Sequence, residues 1–253
     1  MKCISLFLLL LIAAVDLAHA VECSSQRNTY QQLNAKILVR TTEDAKRVTP
    51  VVLADTRANL NIFLERDIRA LLNNQPAISA EEIRRYIQCI QGVGRAEVEN
   101  PSLPYVIQLK DTPNQLIVAY VINAGGEGIP DSLPFMALWS YEANEWKPRY
   151  VDLTFYLRSS FSLNLLSTAD GIGSYLLASG KEYGDGASRL KLTLFRVKKN
   201  QIDHLWKTFD FNAGSFDISG DQIRIRYIPN RDKETYKTAT YVISAKGIEP
   251  LPK

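Results

Sequence analysis

Apolar positions change their rhythm once along the chain. From Ser24 to about Gly94 they recur at helical spacing: Leu60, Phe63, Leu64, Ile68, Leu71 and Leu72 build a single stripe. Asn73-Asn74-Gln75-Pro76 ends that helix. Ser79 then stands three residues before Glu82, the pattern of a capping box, and Ile83, Tyr86, Ile87 and Ile90 form the buried face of the helix it opens.

Beyond Pro101 and Pro104 the period falls to two. Val106 to Leu109, Leu116 to Ile122, Phe135 to Tyr141, Leu163 to Leu166, Tyr175 to Ala178, Leu190 to Val197, Ile223 to Ile228 and Thr240 to Ile243 read as strands. Asp170-Gly171, Asp185-Gly186 and Gly220-Asp221 read as turns between them. Several runs carry bulk at both parities, as in Met136-Ala137-Leu138-Trp139 and Leu192-Thr193-Leu194-Phe195. A strand with one wet face alternates strictly, so these strands are expected to be covered on both faces.

A pattern of aromatic, any residue, apolar residue and tight turn occurs three times. Trp139, Phe195 and Tyr241 lead the copies, whose turns fall at Asn144, Asn200 and Lys246. That spacing of about 50 residues is close to the period of propeller blades. The expected fold is therefore α+β: a short helical N-terminal segment, then an antiparallel meander of three propeller-blade-like units. A sandwich or barrel is the alternative. Three units are too few to close a propeller, so a homodimer that completes the ring is one expected solution.

The N-terminus changes this picture little, but it sets the compartment. Met1-Lys2, an apolar run to Val15 and Ala18-His19-Ala20 have the form of a cleaved export signal. The expected division is 1–20 signal peptide, 21–100 helical region and 101–253 β domain. No membrane span is expected after cleavage, and the location is expected to be secreted or periplasmic. Cys23 and Cys89 are then the remaining cysteines, and an even pair in an oxidising compartment is expected to be bonded. A net charge of +3 is too small to imply a nucleic-acid partner.

Candidate chemistry is sparse. With His19 in the leader, His204 is the histidine left to any triad, and it reads as a structural residue. Ile202, His204 and Trp206 are expected to share one strand face. Asn123-Ala124-Gly125-Gly126-Glu127-Gly128 lacks the Gly-Lys-Ser/Thr of a phosphate loop. No dense Asp/Asn calcium spacing occurs, and neither metal nor cofactor is expected.

The expected function is a non-enzymatic binding or interaction module for an extracellular or periplasmic sugar or peptide. Its expected ligand surface is three long loops, Asn123 to Pro134, Gly180 to Ser188 and Pro229 to Lys237, carrying Glu127, Asp131, Tyr183, Asp185, Arg231, Asp232 and Tyr236. In like units these loops would emerge on one side. A carboxylate-dependent hydrolase of extracellular polysaccharide is the alternative, with its acid pair among Glu127, Asp131, Asp185 and Asp232. Arg224, Arg226, Arg231, Lys233 and Lys237 form a basic stripe that could meet an anion. Alternation with Ile223, Ile225 and Tyr227 reads instead as a solvated strand face.

Overall fold

The structure is a computed structural model that describes residues 23–38, 41–75, 77–92, 104–109, 112–123, 132–151, 159–167, 174–184, 187–229, 235–244 and 247–251. The expected export signal lies outside these residues. The chain is α+β. Helices α1 (residues 23–34), α2 (Thr42–Arg47), α3 (Pro50–Asn74) and α4 (Ala80–Gln91) precede the strands. Among the described residues, no helix is long and apolar enough to cross a membrane.

Helix boundaries follow local chemistry. The Thr49 side chain caps α3 by accepting from Val52 N at 3.2 Å, with Pro50 at its first turn, where the missing N–H costs nothing. Ser79 and Glu82 form the expected capping box on α4. Gly92 ends α4 at φ 69°, a conformation that glycine adopts without strain.

Two antiparallel sheets follow. The first runs β1 (Tyr105–Gln108), β2 (Gln115–Asn123), β3 (Ser132–Glu142), β4 (Glu145–Val151), in that order. The second contains β5 (Ser159–Ser167), β6 (Ser174–Gly184), β7 (Ala187–Lys198), β8 (Gln201–Ser219), β9 (Gln222–Ile228), β10 (Lys237–Ser244) and β11 (Gly247–Pro250), again in chain order. Pro148 lies on β4, an edge strand, where a missing N–H is tolerated.

The layers explain the bulk at both parities. On β2, Leu116, Val118, Tyr120 and Ile122 face the helices, together with Ala137 and Trp139 of β3. Ile117, Ala119, Met136 and Leu138 face the other way, onto Phe161, Leu176, Ala178, Phe195 and Val197 of the second sheet. On β7, Leu190, Leu192 and Leu194 turn to a third core with Tyr175, Leu177, Phe211, Ile223, Ile225 and Ile243. That third core forms because the seven-stranded sheet curls over itself. The Tyr175 hydroxyl on β6 donates across the curl to Ser244 O on β10 at 3.4 Å.

The curl is made by β8. Its first part pairs with β7 as far as Asn212, and its last part pairs with β9 from Asn212 onward. The register slips between Asn212 and Ser215, and Ala213 sits at φ 46°. Gly214 is needed here for closeness: a Cβ on it would lie 2.7 Å from Leu190 Cβ and 2.8 Å from Phe211 O.

The three aromatic positions are not equivalent. Trp139 is buried against the helices, Phe195 between the two sheets, and Tyr241 is half-buried in the curl. β1 to β4 form a four-stranded sheet of blade size, but the later strands run on as one open ladder. What recurs is the turn, since each hairpin needs a residue at positive φ: Asn144 at 64°, Asn200 at 60° and Gly247 at 126°. The inner faces of the sheets are covered by the helices and by the curl.

A second correction concerns β8. The register slips between Leu194 and Phe195, so Phe195 faces His204 while Leu194 faces Trp206. This bulge at Leu205 turns Trp206 to the curl, against Tyr241 at 5.3 Å, while Ile202 stays on the inter-sheet side.

Candidate functional site

Most residues expected to bind ligand fall on undescribed chain. Glu127, Asp131, Asp185, Arg231 and Asp232 lie outside the described residues, and the acid pair expected of a hydrolase lies there with them. Tyr183 lies within β6, paired with Ser188. The stretch expected as a long loop from Gly180 to Ser188 is thus mostly ladder, in which Gly184 already faces Ala187. Tyr236 is exposed at the entry to β10, with the Arg226 guanidinium 4.2 Å from its ring centre.

Topology also separates two of the three connections. β7, β8 and β9 stand between the β6–β7 turn and the β9–β10 connection. An odd number of antiparallel strands puts the two connections at opposite ends of the ladder. The cause is β8: one long bent strand stands where two units would each supply a strand.

His204 is an exposed β8 residue whose ring meets Phe195 edge-on at 4.7 Å. Burial and the nearby Lys207 push its pKa down, so the ring is neutral at pH 7. Asp203 points to the other face, where Lys198 Nζ at 2.6 Å and Arg196 Nη2 at 3.3 Å hold it. The Lys198 hydrogen bond leads in keeping its carboxyl below the usual range. The pair does not form the acid–imidazole half of a triad. Among the described residues, no three His, Cys, Asp or Glu side chains converge.

A hollow lies elsewhere, along β9, β10 and β11. It encloses about 430 Å³ and is lined by Arg224, Tyr227, Lys237, Thr238, Thr240, Tyr241, Leu251 and their neighbours. Its floor follows from register. Arg224, which lines it, lies opposite Thr240, while Arg226, opposite Thr238, is outside the lining and stacks on Tyr236. Arg224, Arg226 and Lys237 are exposed and join no ion pair among the described residues, although Asp217 of β8 is the cross-strand neighbour of Arg224. Tyr241 keeps its phenolic proton, because burial first and Tyr227 second raise its pKa. The hollow therefore offers positive charge, hydroxyl donors and aromatic faces.

A smaller notch of about 160 Å³ marks the seam between the sheets. There the buried Gln115 side chain donates to Asn200 Oδ1 at 2.7 Å and to Ser140 Oγ at 3.3 Å. One N–H ties the first sheet to the β7–β8 turn and the other stays within the first sheet, so both are spent in a structural role.

Sequence pattern placed Arg224, Arg226 and Lys237 on one stripe but assigned them to a solvated face. Tyr227, Thr238, Thr240 and Leu251 were missed as lining. No spacing signal marks them, because the lining depends on where β11, with 4 residues against the 8 of β10, pairs along it. The chain matches no protein-family model, and no curated protein matches it.

Proposed function

We propose that the protein is an exported, non-enzymatic binding module that takes an anionic ligand in the hollow beside β9, β10 and β11. The observation that carries this is Arg224 and Lys237, cations without an ion-pair partner among the described residues, lining one hollow with two tyrosines. Free cations beside aromatic faces favour carboxylate or sulfate groups on a ligand with some apolar surface. Export is supported by the N-terminal leader pattern and by the Cys23–Cys89 bond, which an oxidising compartment preserves.

The test uses polyglutamate and a sulfated polysaccharide as anionic probes and neutral dextran as control. The wild type should bind one or both anions, more weakly as salt rises. Replacing Arg224 and Lys237 together by alanine should weaken that binding at least about tenfold. No binding of either anion by the wild type, or equal binding by the double variant, would show that the hollow is not the ligand site.

A further inference from the structure

We draw no further inference here: the strongest candidate, the notch where the β1–β2, β3–β4 and β7–β8 turns meet, leaves Gln115 Oε1 and Glu142 Oε1 without hydrogen-bond partners, but both oxygens are closed off from solvent, so a ligand seated in the notch does not reach them.

Discussion

At the scale of single residues, Asp67 is the carboxylate that α3 turns inward. It is 8% exposed, and its Oδ2 has no hydrogen-bond partner. Arg66, itself largely exposed, reaches Oδ1 at 3.4 Å. Burial raises the Asp67 pKa, with Arg66 pulling the other way. Glu65 is raised for the same leading reason, opposed by Arg69. A raised carboxyl binds its proton more tightly when folded, so its contribution is fully present below the unfolded pKa of about 3.9 and is lost as pH rises through the folded value. Asp67→Asn cannot titrate. Urea midpoints of the two proteins should coincide in pH dependence near the acid end and diverge as pH rises, with the variant the more stable at pH 7. Parallel midpoints from pH 3 to pH 7 would show that Asp67 carries no such cost. Nothing in the sequence marks Asp67, since a carboxylate between Arg66 and Ile68 reads as surface until the α3 face is oriented on its neighbours. The cysteine pair was legible for the opposite reason: with the expected leader set aside, each cysteine has one candidate partner.

At the scale of elements, that pair ties α1 to the last turn of α4. The Cα atoms are 6.1 Å apart, and Arg27 Nε donates to Cys89 O at 2.9 Å beside the bond. Cys23 is buried in the core under the helices, so α1 is held by both packing and a covalent link. The bond closes a loop with a sequence separation of 66. On the chain-entropy model, opening it by Cys23→Ser with Cys89→Ser should cost about 4 kcal/mol in denaturant unfolding at neutral pH. A loss under about 1 kcal/mol would mean that packing alone holds α1. Strands of this fold were legible wherever bulk stood at both parities, because burial on two faces leaves that trace directly. β8 was less so: bulges at Leu205 and near Gly214 break the period of two on which strand patterns rest. The false repeat has the same root. Turn residues at positive φ recur for reasons local to each hairpin, and they carry no information on which core the neighbouring aromatic enters.

At the scale of the molecule, four layers stack: helices, the first sheet, and the two halves of the curled second sheet. Each inner layer is apolar on both sides, which is what the pattern of Met136 to Trp139 and Leu192 to Phe195 demanded. The candidate hollow was less legible, because it depends on how β11 pairs along β10, which is not a property of composition or spacing. The 19 residues of β8 also bear on how the molecule comes apart. One half of the curled sheet hangs on the first part of this strand and the other half on its last part, with no break in the chain between them. Melting either half frays the strand that the other half needs. The curled sheet should therefore open as one cooperative unit. In native-state hydrogen exchange, the central amides of β6–β7 and of β9 should share one opening free energy and one denaturant dependence. Two separate isotherms would mean that the bend at Gly214 divides the sheet into independent halves. A shared isotherm would make β10, which lines the hollow proposed for an anion, a place from which binding stabilises the far side of the sheet as much as the near side.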